Sequence, residues 1–197
     1  MTSGVLHAAV GFGLVLAVAL APAVRAAGPL TGLKPAEPQP TPQQLVPGLA
    51  VQYAYAIMNH VDELKGKKFE GGPPLPALNY RMGAGTILTS KANDGVGAII
   101  TGFILFEKPG VYGFDVTSND GVRVEIGGKL LHEDPGVHGD DTSDRIDVKI
   151  EKAGWYPLSV HYFEKRNTAS LVLRWIGPGE KGELVPVPPK AFGHLKK

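Results

Sequence analysis

The segment that decides the fold is residues 111–126, which read VYGFDVTSNDGVRVEI. Apolar and polar side chains alternate over residues 111–117 and again over residues 122–126. A period of two is typical of strands with one buried face. Between the two runs stands Asn119-Asp120-Gly121, whose residue types are common in tight turns because they tolerate a positive φ. The pattern predicts two half-buried strands joined by a hairpin turn.

Further strand patterns surround this segment. Upstream, residues 49–57 and 97–107 are rich in β-branched and aromatic side chains, which favour strands. A second tight turn is predicted at Gly127-Gly128. Closely spaced strands with turn signals between them, and almost no helical periodicity, predict an all-β fold: an antiparallel β-sandwich. The downstream alternating runs are residues 146–150, 156–162 and 171–175.

Several blocks of the sequence, taken in order, resemble one known family. The blocks are GVYGF (110–114), SNDGVRVEIGGKL (118–130), GWYP (154–157), YFE (162–164) and ASLVLRW (169–175). In this order they resemble the PA-fourteen domain, a family named after the anthrax protective antigen. The resemblance extends back through residues 99–103 and 48–53, so it covers residues 48–176. It implies a PA-fourteen-like β-sandwich.

The resemblance also implies a ligand site. In the sugar-binding members of the family, found among fungal adhesins, two consecutive Asp residues joined by a cis peptide bond hold a calcium ion, and the ion holds sugar hydroxyls. Those positions fall on Asn119 and Asp120 here, and the adhesins' next ligand, an Asn, falls on Glu164. Calcium takes about six to eight oxygen ligands. Asn167, or main-chain carbonyls of residues 165–168, are candidates for the remainder.

This chain differs from the adhesins at two of the implied positions. Asn119 replaces an Asp, which removes one negative charge, and Glu164 replaces an Asn, which restores it. The total charge of the implied site is therefore kept while its geometry changes. Two interpretations remain open: a calcium site formed by Asn119, Asp120 and Glu164, or a turn in which Asn-Asp-Gly has a purely structural role.

A polar loop is predicted between residues 132 and 144, close to the Asn119 turn. Imidazole and carboxylate ligands suit zinc or manganese, but the histidine spacing is not the helical pair of zinc proteases. The alternatives are a solvated loop and a loop that selects the ligand, with His138 and Asp140 as the candidate binding residues. The ionisable side chains under consideration are His132, Asp134, His138, Asp140, Asp141 and Asp144.

The first 26 residues are predicted to be a cleavable signal peptide. Residues 5–20 are almost wholly apolar, and small residues permit cleavage after Ala26 or Ala23. The alternative is a retained membrane anchor, since the apolar span is close to the ~20 residues that a transmembrane helix needs. Cleavage predicts an exported protein, periplasmic or secreted, whose mature chain has no membrane span.

The rest of the chain divides into three parts. Residues 27–47 are rich in proline and predict an extended linker that buries little apolar surface and holds the domain away from its point of emergence. Residues 48–178 form the predicted sandwich. Residues 179–197 are expected to be a tail, with a short edge strand at residues 185–187 and a loose end.

Composition excludes several classes of function. Lys plus Arg is 20 against 19 for Asp plus Glu, a balance that provides no attraction for nucleic acid or an anionic membrane. Cysteine is absent, so disulfides, thiolate metal sites and cysteine nucleophiles are excluded. No Gly-x-Ser-x-Gly motif surrounds a serine, and Asp140 and Asp141 are adjacent rather than opposed as glycosidase carboxylates are. We expect no catalytic activity.

Taken together, the sequence predicts an exported, non-catalytic carbohydrate-binding module. Its partner would be a glycan of the cell envelope or the extracellular matrix. Calcium on the Asn119-Asp120 turn would coordinate vicinal sugar hydroxyls. The alternative is an envelope protein-interaction or assembly module with the same fold and no metal.

Overall fold

The computed structural model of the protein describes Met1 and residues 28–196, so the predicted signal peptide lies, apart from Met1, outside the described residues. The described chain is all-β, which confirms the predicted fold class. Its two 3-10 helices, Val61–Leu64 and Pro189–Ala191, are short, and no described helix has the length and apolarity to cross a membrane. The strands are β1 (Leu45–Pro47), β2 (Leu49–Tyr55), β3 (Glu70–Leu75), β4 (Asn79–Gly83), β5 (Val96–Phe106), β6 (Gly110–Asn119), β7 (Val122–Ile126), β8 (Lys129–Asp134), β9 (Asp141–Thr142), β10 (Ile146–Ile150), β11 (Gly154–Glu164), β12 (Ala169–Ile176), β13 (Val185–Pro186) and β14 (Phe192–Leu195).

Two antiparallel sheets form the sandwich. In the eight-stranded sheet the order is β1-β14-β5-β11-β7-β8, and β2 pairs with both β3 and β5. In the six-stranded sheet the order is β10-β6-β12-β13, with β4 paired to β12 and β9 paired to β6. The ladder between β5 and β11 runs from Phe106↔Gly154 to Val96↔Glu164. It places Glu164 at the same end of the sandwich as the start of β5.

The core lies between the two sheets and contains the apolar face predicted from residues 111–126. The six apolar side chains that β6 and β7 contribute to this face are each 4% exposed or less. Full burial of such side chains contributes about 1.5–3 kcal/mol each, before the cost of ordering the chain. The residues concerned are Tyr112, Phe114, Val116, Val122, Val124 and Ile126.

The chain does not form a hairpin at Asn119-Asp120, so that prediction is wrong. β6 belongs to the six-stranded sheet and β7 to the eight-stranded sheet, and the chain therefore crosses between sheets here. Gly121 is not among the residues with a positive φ. A β-carbon on Gly121 would lie 2.5 Å from Phe163 Cε1 and 2.7 Å from the carbonyl oxygen of Pro135. Glycine is needed because two segments approach closely, not because the turn requires it.

The second predicted turn does form a hairpin. Gly127 and Gly128 connect β7 to β8, which pair antiparallel in the eight-stranded sheet. Their φ angles are 57° and 74°, values that glycine adopts without steric cost. The turn prediction is confirmed at this position because both strands remain in one sheet.

The predicted linker, residues 27–47, lies against the sandwich over its described part. The main-chain N–H groups of Lys34 and Ala36 donate hydrogen bonds to the carbonyls of Gly127 and Trp155, at 2.9 and 2.8 Å. Ala36 is 7% exposed, and the segment ends in β1, which pairs with β14. The prediction that this segment is a spacer is wrong. The segment has little apolar surface to bury, but its main-chain hydrogen bonds hold it against the sheet.

The C-terminal segment is also part of the sandwich. β13 pairs with β12, which confirms the short strand predicted near residues 185–187. The last residues, predicted to be loose, instead form β14, which lies between β1 and β5. Phe192 at its start is 2% exposed. Four residues are too few to show a strand pattern in the sequence, which explains the error.

Replacing Phe192 tests whether β14 belongs to the core. Phe192→Ala is expected to lower the free energy of unfolding by about 3–5 kcal/mol, because a buried ring is lost and a cavity remains. Leu195→Ala, in the same strand but 49% exposed, is the control and should change it by less than about 0.5 kcal/mol. Urea unfolding measures both, and equal small effects would contradict the placement of β14.

Candidate functional site

The Asn119-Asp120 junction lies where the chain leaves the six-stranded sheet. Its peptide bond is cis. Both side chains are buried, at 4% and 3% exposed. Two loops surround the junction: residues 135–140, between β8 and β9, and residues 165–168, between β11 and β12. We call the junction and these two loops the rim.

The carboxylate of Asp120 connects the two loops of the rim. Its Oδ1 accepts a hydrogen bond from the main-chain N–H of His138 at 3.1 Å. Its Oδ2 accepts one from the main-chain N–H of Lys165 at 2.7 Å. Hydrogen bonds to an ionised group contribute about 1.5–3 kcal/mol each. One buried side chain therefore holds both loops in place.

Asn119 extends this connection to two exposed side chains. Its Nδ2 donates to Asp140 Oδ1 and to Thr168 Oγ1, both at 3.0 Å. Its carbonyl oxygen accepts from the hydroxyl of Tyr162 at 2.6 Å. Asp140 and Thr168 are exposed while Asn119 is buried. The amide thus fixes the position of two polar groups at the surface.

Asp140 is the centre of the exposed part of the rim. Besides the Asn119 amide, Oδ1 accepts a hydrogen bond from Ser170 Oγ at 3.0 Å. The other oxygen, Oδ2, lies 3.6 Å from Arg81 Nη1. The Asp140 side chain is nevertheless 53% exposed. It can accept hydrogen bonds from a ligand while its orientation is set by the protein.

Glu164 is fully buried beside the junction, at 0% exposed. Its Oε2 accepts from the main-chain N–H of Gly95 at 3.1 Å, while Oε1 has no hydrogen-bond partner among the described residues. Burial raises the pKa of Glu164, the carboxylates of Asp94 and Asp120 raise it further, and the Gly95 hydrogen bond opposes them, giving a value of about 7. Beside the rim, this buried carboxylate oxygen is therefore left without a positive partner among the described residues.

The remaining predicted residues lie close by, with different roles. Asn167 has a φ of 79° and donates its main-chain N–H to Asp94 Oδ1 at 2.8 Å. The ring of His138 lies with Nδ1 2.7 Å from the Gly139 carbonyl oxygen and Nε2 3.3 Å from Asp134 Oδ2. Sequence reasoning missed the side chains of Thr168, Ser170 and Arg81. Pairing of β12 with β6 and β4 places Ser170 and Arg81 at the site, and Thr168 lies in the loop just before β12.

The cation-binding capacity of the rim rests on two buried carboxylates. Asp120 and Glu164 lie near enough to affect each other electrostatically. Among the described residues, no group of three or more His, Cys, Asp or Glu side chains is arranged to hold a metal ion. Calcium, unlike zinc, also takes amide, main-chain and ligand oxygens. The unpartnered Oε1 of Glu164 fits a cation, and the shell would have to be completed by such neutral oxygens.

The fold and the rim define a class of protein: a β-sandwich domain whose loops are held by an Asn-Asp junction between its sheets. A family model of the PA14 domain matches residues 83–187, more than half of the chain. The protein belongs to the PA14 (PA-fourteen) domain family, which confirms the resemblance seen in the sequence. A search of curated protein sequences found no match.

Solved structures show the same fold at low sequence identity. The PA14 domain of the MpAFP antifreeze protein is 17% identical, with a TM-score of 0.65 over 81% of this chain and 96% of that one. A PA14 sugar-binding domain from an RTX adhesin is 18% identical, with a TM-score of 0.58 over 76% and 99%. The A domain of epithelial adhesin 9 from Candida glabrata, in complex with Galβ1-4GlcNAc, is 11% identical, with a TM-score of 0.64 over 82% and 95%.

The pH dependence of stability tests the environment of Glu164. The folded pKa of about 7 lies above the ordinary value of 4.5, so the folded state holds this proton more tightly than the unfolded state. Protonated Glu164 therefore contributes up to roughly 3 kcal/mol to the free energy of unfolding. This contribution is fully present below pH 4.5 and is lost as the pH rises through 7. Glu164→Gln, which cannot ionise, should therefore unfold with a higher free energy than wild type at pH 8 in metal-free buffer.

Urea unfolding at pH 5 and pH 8 provides the measurement. The gain in free energy of unfolding of Glu164→Gln over wild type should be larger at pH 8 than at pH 5. Glu125→Gln, at an exposed position of β7, is the control and should show no such difference. A Glu164→Gln variant that is less stable than wild type at pH 8 without metal would show that the carboxylate has a partner.

Proposed function

We propose that the protein is a non-catalytic carbohydrate-binding module whose ligand binds at the rim. The observation that carries this proposal is the fixed position of the exposed Asp140 and Thr168 side chains on the buried Asn119 amide. A preorganised set of polar groups loses little conformational entropy when it binds hydroxyl groups. Membership of the PA14 family supports the proposal, as do the sugar-binding domain and the sugar complex among the similar structures.

The residues of the rim, and Arg81 beside it, each have a defined role in this proposal. Asp140 accepts hydrogen bonds from sugar hydroxyls, and Arg81 beside it donates to them, because both side chains are more than half exposed. Thr168 can donate or accept. Asn167 and the main chain of His138 shape the two loops on either side. Selection between sugars then depends on the spacing of these loops, which Asp120 sets.

The second part of the proposal is that a calcium ion binds beside the rim. Asp120 and Glu164 would hold the ion, with the side-chain oxygen of Asn119 and main-chain carbonyls as further ligands. A carboxylate oxygen that accepts one N–H keeps a second lone pair, so the loop contacts of Asp120 do not exhaust its capacity. When bound, calcium would add direct coordination of vicinal hydroxyls. Its support is the buried, unpartnered Oε1 of Glu164.

The same geometry argues against acid–base catalysis by Asp120 and Glu164. Asp120 uses both oxygens for main-chain amides, and Glu164 has no exposed surface. A general acid or base must come within hydrogen-bond reach of the proton that it transfers. These carboxylates support the loops instead. We therefore propose neither of them as a catalytic residue, and the function proposed for the module is binding.

We also propose that the module works outside the cytoplasm, in the periplasm or as a secreted protein. The support is the apolar N-terminal segment with its small-residue exit. Its ligand would then be a glycan of the cell envelope or of the extracellular matrix.

Binding to a glycan array tests the proposal. Wild-type protein is expected to bind a subset of glycans, and Asp140→Ala should weaken that signal by about tenfold or more, as expected for loss of a charged hydrogen-bond acceptor. Asp144→Ala, an exposed carboxylate of the same region, is the matched control and should bind as wild type. No glycan signal, together with a protein that co-purifies from the envelope, would favour the assembly-module alternative.

The role of calcium is tested by adding EDTA to the array and by a separate calorimetric titration. If calcium contributes, EDTA abolishes the array signal, and calorimetric titration of wild type with calcium gives heat that Glu164→Gln lacks. A glycan signal that EDTA leaves unchanged keeps the carbohydrate function and removes the metal from it.

A further inference from the structure

A cavity of ≈ 220 Å³ lies at the end of the sandwich opposite the rim. Tyr112, which lines it, is near the start of β6, whereas Asn119 ends that strand. Since a strand rises about 3.3 Å per residue, the two residues lie roughly 20 Å apart. We call this cavity the far pocket. The lining residues that matter here are Glu107, Lys108, Tyr112, Trp175, Glu180 and Lys190.

Trp175 provides a rigid flat surface in the far pocket. The centroid of its ring lies 5.5 Å from the ring centroid of Tyr112, 6.1 Å from that of Phe106 and 6.2 Å from that of Phe114. Packed aromatic clusters of this kind restrict the movement of each ring. Trp175 is only partly buried. Part of its surface is therefore available to a molecule in the pocket, without a cost for ordering the side chain.

Polar groups meet next to this surface. The hydroxyl of Tyr112 donates to the main-chain oxygen of Lys108 at 3.0 Å, and Lys190 Nζ lies 3.3 Å from Glu107 Oε1. Burial raises the pKa of Tyr112, the hydrogen bond to Lys108 opposes this, and the carboxylates of Glu107 and Glu180 raise it further. Both carboxylates are thus near enough to act on the Tyr112 hydroxyl electrostatically.

The charges of the far pocket indicate the class of ligand. The lining residues include two that carry a carboxylate, Glu107 and Glu180, and two that carry an ammonium group, Lys108 and Lys190. Glu180 is held in place by the main-chain N–H of Gly177, at 3.0 Å. A pocket that offers acceptors and donors without net charge favours a neutral, hydroxyl-rich molecule over an anion or a cation. A partly exposed aromatic ring suits the apolar C–H face of a sugar.

We propose that the far pocket is a second carbohydrate site, in which one neutral sugar ring stacks on Trp175 and its hydroxyls pair with Glu107, Glu180 and Lys190. The cavity is smaller than the about 300–1,000 Å³ typical of pockets for drug-sized ligands, so it takes a single ring rather than a longer segment. The site needs no metal and does not depend on ligand binding at the rim. With a glycan at each end, one module would connect two glycan strands.

Fluorescence of Trp175 tests this inference. The chain has two tryptophans, so Trp155→Phe leaves Trp175 as the only reporter. Titration with methyl β-glucoside, methyl β-galactoside and N-acetylglucosamine in EDTA should give a saturable change for at least one sugar. Adding Glu180→Ala should weaken the apparent affinity by about tenfold or more. Glu183→Ala, a nearby exposed carboxylate that does not line the pocket, should leave it unchanged.

The outcomes separate this proposal from the function proposed for the rim. A saturable, EDTA-resistant signal that depends on Glu180 supports the far pocket even if the glycan array shows nothing for the rim. Absence of a saturable change with all three sugars overturns it, as does equal weakening by Glu183→Ala. Tetramethylammonium chloride serves as the cationic probe, and a saturable signal from it without one from any sugar would also overturn the assignment.

Discussion

The rim depends on one interaction, the acceptance of two main-chain N–H groups by the buried carboxylate of Asp120. The donors, His138 and Lys165, belong to loops that follow different strands of the eight-stranded sheet, β8 and β11. Among the main-chain hydrogen bonds of the described residues, none joins these two loops to each other. The Asp120 carboxylate therefore joins the two loops through hydrogen bonds, as main-chain hydrogen bonds join strands in the sheets. The positions of the exposed Asp140 and Thr168 side chains depend on it.

This arrangement has an electrostatic cost that is concentrated on Glu164. Three carboxyl groups act on one another here, those of Asp94, Asp120 and Glu164. Glu164, which is fully buried, has a pKa of about 7. The cost is reduced at low pH by a proton, and a bound cation would reduce it at neutral pH. The same feature that weakens the metal-free fold above pH 7 is thus the feature that makes a cation favourable. Stability and ligand capacity are coupled through one side chain.

Much of the fold was predictable, because period-two alternation in residues 111–126 specifies which face of each strand is buried. The change of sheet at Asn119-Asp120 was not, since a turn motif reports local φ preferences and not which sheet the next strand joins. Nor were the docking of residues 28–47 and the insertion of β14, which depend on main-chain hydrogen bonds that any sequence can make. At the site, Asn119, Asp120 and Glu164 were found by resemblance. Arg81 and Ser170 were brought there by strand register, and Thr168 by the loop that precedes β12.

Hydrogen exchange at the amides of His138 and Lys165 measures the central interaction most directly. Asp120→Asn keeps the shape of the side chain but replaces one acceptor oxygen by a donor. We expect at least one of these amides to lose protection by about tenfold or more relative to a core amide such as that of Val160, because its acceptor is gone. Protection of both amides that changes only in parallel with Val160 would contradict the account, since the loops would then be held by something other than Asp120.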